Sequence, residues 1–177
     1  MNIIEYTLLA GGTVLLLVAT WRISLKAERY HGVYRFVSFE SILILFLLNW
    51  RAWFADPFSV RQMFSWALLT ASIVPVILGF SALRVHGQAQ KQFENTQALV
   101  TTGIYHYIRH PMYLSLMLLG TGVCLKDPTG MVIGLGVINC VALVATALRE
   151  EMEMVGKFGK EYEAYMARSK RFIPNVL

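Results

Sequence analysis

Apolar runs of bilayer length limit this chain more than any other feature. A helix needs about 20 mostly apolar residues to cross the hydrocarbon core, and the runs 3–21, 36–54 and 63–85 each supply them. Two more, 111–125 and 129–148, follow a polar stretch at 86–110 and are separated only by Lys126-Asp127-Pro128. So short a connection makes the pair an antiparallel hairpin. The expected fold is an all-α integral membrane protein with about five transmembrane helices, the last two forming a C-terminal hairpin, followed by an amphipathic tail helix. Charged residues make up 15% of the chain, against about 25% in soluble domains, so its surface suits lipid. The 177 residues form a single membrane domain: three N-terminal helices over 1–85, then the polar segment, hairpin and tail over 86–177.

The first run reads as a retained helix. A cleavable leader has its basic residues ahead of the apolar stretch, whereas here Glu5 precedes it and Arg22 follows. Pro75 and Gly79 inside the third run are tolerated in lipid and mark a place for a kink. The net charge of +5 does not form the basic, aromatic-interleaved stripe of a nucleic-acid binder, so no nucleic-acid partner is expected. Cys124 and Cys140 lie within apolar runs, with no CxxC or HExxH spacing. They read as packing residues, with no disulfide framework and no metal site. The basic residues between runs are strongly one-sided. Arg22, Lys26, Arg29, Arg35, Arg84, Lys91, Arg109, Arg149, Lys157, Lys160, Arg168, Lys170 and Arg171 fall on one side, and Arg51, Arg61 and Lys126 on the other. The positive-inside rule then puts the N-terminus outside and the polar segment and C-terminus in the cytoplasm. Because the hairpin leaves this face and returns to it, residues around 109–113 and 149–151 meet at one membrane edge.

Two clusters at that edge can carry chemistry. In the first, Pro111 suits the first turn of the fourth helix, which puts His110 at its cap beside Arg109 and one turn before Tyr113. Unpaired N–H groups and the dipole of a helix start favour an anion, such as the carboxylate of an amino-acid-like ligand. The structural alternative makes Arg109, His110 and the tyrosines interfacial anchors. The second is Arg149-Glu150-Glu151, read as the end of the fifth helix. Two acids there oppose the macrodipole and call for a cation, either on a ligand or Arg109 across the hairpin. The alternative is a solvated face of a continuing tail helix, with Phe158-Gly159 as its break. Gln88, Gln90, Gln92 and Gln97 could hydrogen-bond a base or ribose, or merely solvate a loop. Gly134-Leu135-Gly136 has no preceding strand and reads as a helix-packing site. Glu40 and Asn49 read as interhelical or interfacial polar contacts.

The stretch Leu99-Val100-Thr101-Thr102-Gly103-Ile104-Tyr105, then Arg109-His110-Pro111-Met112-Tyr113, resembles the signature of the isoprenylcysteine carboxyl methyltransferases and their prokaryotic relatives. Glu150-Glu151, Phe158-Gly159-Lys160-Glu161-Tyr162 and Arg171-Phe172-Ile173-Pro174 match its second half in order and spacing. The likeness covers 88–174, about half the chain, and relates it also to phospholipid methyltransferases. It implies a membrane methyltransferase using S-adenosylmethionine and giving S-adenosylhomocysteine, resident in the inner or cell membrane of a prokaryote. The cofactor contacts implied are Gln90, Gln97, Ala98, Leu99, Val100, Tyr105, His110, Pro111, Met112, Tyr113 and Glu150. Arg109, His110 and Glu151 are the expected catalytic residues. The partners implied are the bilayer and a lipophilic or lipidated acceptor.

One position departs from the pattern. Family members acting on prenylcysteine have an arginine one turn before the first paired acid, and this chain has Thr146 there. A carboxylate acceptor, the first choice, would arrive ionised. A phospholipid amine or small thiol on the same scaffold would need a base, drawn from Tyr105, His106, His110 or Glu151. A membrane reductase with a similar C-terminal region is the alternative outside methyl transfer.

Overall fold

The computed structural model describes residues 2–24, 30–86 and 99–174. Within them lie six helices: α1 (Ile3–Ile23), α2 (His31–Asn49), α3 (Val60–His86), α4 (Pro111–Cys124), α5 (Gly130–Phe158) and α6 (Lys160–Arg168). α1, α2, α3 and α5 are long and apolar enough to cross a membrane. The chain is an all-α integral membrane protein, as its apolar runs indicate. Gln90, Gln97 and Ala98 lie outside the described residues.

The lengths of α4 and α5 shape the site, and the end of α5 differs from the expectation. α4 has 14 residues, or about 21 Å at 1.5 Å per residue, short of the roughly 30 Å hydrocarbon core. α5 has 29, about 43 Å. It does not end near Leu148: with no proline between Pro128 and Pro174, the helix runs on to Gly159. There φ is +55° and ψ −130°, a conformation open essentially to glycine alone. Glu150 and Glu151 therefore sit inside α5, and the dipole argument for a helix terminus does not apply to them.

α1 starts on a reciprocal cap: Glu5 N–H donates to Asn2 Oδ1 at 2.9 Å, and Asn2 N–H to Glu5 Oε2 at 2.8 Å. No α1 residue is buried, and its main neighbour is α2. There Thr13 Oγ1 donates to Glu40 Oε1 at 2.7 Å, the interhelical contact expected of Glu40. Asn49 instead bonds the Leu45 carbonyl of its own helix at 3.0 Å.

The interior is held by small and polar residues, since lipid offers no hydrophobic drive between helices. Ser38 Oγ of α2 donates to Asn139 Oδ1 of α5 at 2.7 Å, and Asn139 Nδ2 reaches the Leu116 carbonyl of α4 at 3.4 Å. α3 and α4 approach closely at two glycines. A Cβ on Gly79 would stand 3.1 Å from Pro111 Cγ, and one on Gly122 2.9 Å from Leu69 Cγ and 3.2 Å from its backbone nitrogen. Ser115 Oγ donates to the Ser72 carbonyl at 2.5 Å, one turn before Pro75. Of the Gly134-Leu135-Gly136 pair only Gly136 is close-packed, at 3.2 Å from Cys124 Sγ; Gly134 faces open space. Both cysteines are free thiols.

At the hairpin turn, Lys126 is fully buried rather than a loop charge. Its Nζ donates to Gln62 Oε1 at 2.9 Å and lies 3.7 Å from the Trp66 ring centroid, a cation–π contact. Its carbonyl accepts from Arg61 and Gln62. Burial, and secondarily the charge of Arg61, pushes the ammonium below its ordinary pKa.

Gly122→Ala is expected to destabilise the protein by about 1–3 kcal/mol through overpacking against Leu69. Gly134→Ala, with nothing nearby, should be neutral or stabilising by up to about 1 kcal/mol. Apparent melting temperatures of the two variants in detergent check the contrast.

Candidate functional site

The site forms where three segments meet: the chain entering α4, the upper turns of α5, and the tail beyond α6. Gly103 has φ +62°, which glycine adopts without strain, and opens a 3-10 turn over Gly103–His106. Beyond it the backbone runs beside the tail. Lys170 N–H donates to the Tyr107 carbonyl at 3.0 Å, Arg109 N–H to the Lys170 carbonyl at 2.8 Å, and His110 N–H to the Arg171 carbonyl at 3.0 Å. This short parallel pairing is one the sequence offers no periodic signal for, since each partner spans only about three residues.

Side chains reinforce it. Glu151 is 4% exposed and is met by three donors. Arg109 Nε stands 2.9 Å from Oε1, His110 Nε2 3.2 Å from Oε1, and Arg171 Nη2 2.8 Å from Oε2. The far end of Arg109 donates to the Ser169 carbonyl at 2.5 Å and the Met166 carbonyl at 3.3 Å. Hydrogen bonding to Glu151 raises the Arg171 pKa further. Phe172 packs with Tyr113, Leu143 and Ala147 in the apolar cluster beneath.

Glu150, one residue earlier on α5, is turned roughly 100° away and faces a cavity. Its Oε2 accepts from Tyr113 Oη at 2.8 Å and lies 3.6 Å from His110 Nδ1. The His110 and Tyr113 rings stack with centroids 5.3 Å apart and planes 10° apart. His110 thus stands between the two acids: with Nε2 protonated it donates to Glu151 and leaves Nδ1 as the acceptor on the Glu150 side. Its side chain makes no cap bond to the first turn of α4, and the positive end of that helix's dipole favours an anion there.

The cavity encloses about 550 Å³. Leu99, Val100, Tyr105, Arg109, His110, Pro111, Met112, Tyr113 and Glu150 line one end, under Tyr162 and Tyr165 of α6. Glu151 does not line it. His106 is exposed and stacks edge-on with Tyr107, away from the cavity. Burial pushes the Tyr105 and Tyr162 hydroxyls up, aided by nearby Glu150 for the first and by Glu151 and Glu150 for the second. It pushes Tyr165 up to about 12, against the opposing charge of Arg109. All three stay neutral near pH 7 and serve as hydrogen-bonding groups rather than bases; Tyr165 Oη donates to the Tyr105 carbonyl at 2.7 Å.

The rest of the lining comes from helices that sequence reasoning read only as spans: Leu16 and Thr20 of α1, Arg35 and Phe39 of α2, and Val76 and Leu83 of α3. No periodicity marks these residues, because a lipid-facing and a cavity-facing apolar side chain look alike.

Residues 60–161 match the family model for phospholipid methyltransferases. More than half of the chain lies in that match, and the chain belongs to the phospholipid methyltransferase family. It is also similar to the protein-S-isoprenylcysteine O-methyltransferase of Dictyostelium discoideum, 27% identical over an alignment of 143 residues that covers 77% of this chain. The matched region spans 60% of that relative's length. The family match takes in α3, the 99–113 stretch, the hairpin and the paired acids; α1, α2 and the residues following 161 lie outside it.

Removing the Glu151 charge strands Arg109 and Arg171, and loss of one partner from a buried pair costs roughly 3–5 kcal/mol. Glu151→Ala should therefore loosen the tail, with tryptic cleavage after Lys170 and Arg171 accelerating at least about tenfold while the helical circular dichroism is retained.

Proposed function

We propose that the protein is an S-adenosylmethionine-dependent membrane methyltransferase acting on a lipophilic acceptor at the cytoplasmic membrane edge. The observation that carries this reading is the cavity, whose lining combines family-motif residues such as Tyr105, His110, Tyr113 and Glu150 with mainly apolar side chains of α1, α2 and α3. The donor set there fits the cofactor. The uncapped first turn of α4 suits a carboxylate, Glu150 suits an ammonium or ribose hydroxyls, and Leu99, Val100 and Tyr105 suit an adenine face. Gln90, Gln97 and Ala98 belong to the same proposed contact set. When bound, S-adenosylmethionine supplies an electrophilic methyl group on a sulfonium.

The protein's part is alignment and exclusion of water, because in-line displacement depends mainly on positioning. Tyr113 holds the Glu150 carboxylate by its 2.8 Å bond. The α4 start orients the ligand's carboxylate end, His110 stacks on Tyr113 beside Glu150, and the α6 tyrosines roof the site. Arg109 and Glu151, with each other and Arg171 as partners, act as positioning residues that hold the roof in place. A carboxylate acceptor needs no base; for an amine or thiol, His110 Nδ1 and the Glu150 carboxylate are the groups that can take the proton. The one-sided basic residues support a cytoplasmic site with the N-terminus outside.

S-adenosylhomocysteine should bind the purified protein with measurable heat. Glu150→Gln and His110→Ala should each weaken it at least about tenfold, or ~1.4 kcal/mol, while Glu40→Gln leaves it unchanged. No binding by the intact protein would sink the reading, and binding of a nicotinamide cofactor in its place would favour a reductase.

A further inference from the structure

Resting on that reading, we propose that Tyr162 is a ligand-contacting residue, whose hydroxyl joins Tyr105 and Glu150 in an oxygen cradle for the ammonium group of the methyl donor. The four tyrosines that line the cavity are unequally committed. Tyr113 Oη donates to Glu150, and Tyr165 Oη to the Tyr105 carbonyl. Among the described residues, the hydroxyls of Tyr105 and Tyr162 have no hydrogen-bond partner, although both side chains line the cavity. Tyr162 is only 4% exposed. A buried hydroxyl left unpaired is costly, so it favours a ligand that supplies the missing partner.

Charge selects an ammonium for that place. Arg109 and Arg171 meet Glu151, whereas among the described residues no lysine or arginine pairs with Glu150, whose ionisable neighbour is His110 at 3.6 Å. Tyr113 occupies Oε2 of Glu150, which leaves Oε1 as a third acceptor beside the two phenol oxygens. An ammonium has three donors, one for each. Burial, then Glu150 for Tyr105 and Glu151 and Glu150 for Tyr162, pushes both hydroxyls up. They stay neutral, and can accept from a cation while turning their own protons toward the carboxylate. With its carboxylate at the α4 start, the amino-acid part of the donor would be held at both of its charges. The backbone brings Tyr162 there. Gly159, at φ +55°, ends α5 and turns the chain into α6. Tyr162 N–H donates back to the Gly159 carbonyl at 3.1 Å, and Tyr165 braces its ring edge-on with centroids 5.7 Å apart. Tyr162 is the first residue beyond the family match, which ends at 161.

The test is calorimetry on the full-length protein in detergent, with S-adenosylhomocysteine and its desamino analogue, in which hydrogen replaces the amino group. The unaltered protein should bind S-adenosylhomocysteine at least about tenfold more tightly than the analogue, as expected for hydrogen bonds to a charged group. Tyr162→Phe should lose about tenfold for S-adenosylhomocysteine and hold the analogue within about twofold. Because the hydroxyl has no partner in the protein, the ligand-free melting temperature of Tyr162→Phe should stay within about 2 °C of the original. A disturbed roof, by contrast, would weaken both ligands alike. No preference for the amino-bearing ligand, unchanged S-adenosylhomocysteine affinity in Tyr162→Phe, or an equal loss for both ligands overturns the proposal and leaves the methyltransferase reading standing. If the unaltered protein binds neither ligand, the methyltransferase reading fails and the cradle falls with it.

Discussion

Glu151 is a carboxylate held where water hardly reaches, and the layout of the C-terminal half follows from how that charge is met. Leaving it unpaired would cost several kcal/mol, so its neighbours must converge. Arg109 and His110 lead into α4 and Arg171 comes from the tail, so a single carboxylate draws two segments to one point of α5. Backbone bonds between 107–110 and 170–171 then zip the tail against the α4 entrance. Because successive helix positions rotate by about 100°, fixing Glu151 inward turns Glu150 toward the cavity. The paired acids thus divide the work: one holds the roof, the other faces the ligand space.

The recess that becomes the cavity is a consequence of unequal helix lengths. α4 and α5 leave the same turn, which the buried Lys126 and its tryptophan contacts anchor at the opposite membrane edge. α4 stops after 14 residues while α5 continues, and the space above the α4 start is closed by α6 and walled by Tyr105. Glycines 79 and 122 keep α3 close enough to α4 to complete the side. The cavity is therefore walled by helices on most sides, with Leu99, Val100, Tyr105 and Arg109 added by the chain ahead of α4.

α1 and α2, which lie outside the family match, supply part of the cavity's lining. Under the proposed function this division separates donor from acceptor. Motif residues on α4, α5 and the preceding chain would hold the common cofactor, and the wall that α1 and α2 supply would set what is methylated. The family name and the isoprenylcysteine O-methyltransferase relative point to different acceptors, and this wall is where they would be told apart.

The sequence alone determined the membrane class, the hairpin and the meeting of 109–113 with the paired acids, because apolar run length and a three-residue connection leave few alternatives. It also exposed the motif residues that line the cavity. The extent of α5, the separate duties of Glu150 and Glu151, the burial of Lys126 and the presence of Arg35 in the cavity were decided only by tertiary structure. The reason is physical. Each depends on which neighbour fills a rotational position on a helix, and in a chain apolar on nearly every face, periodicity does not distinguish packing from lipid from a ligand space.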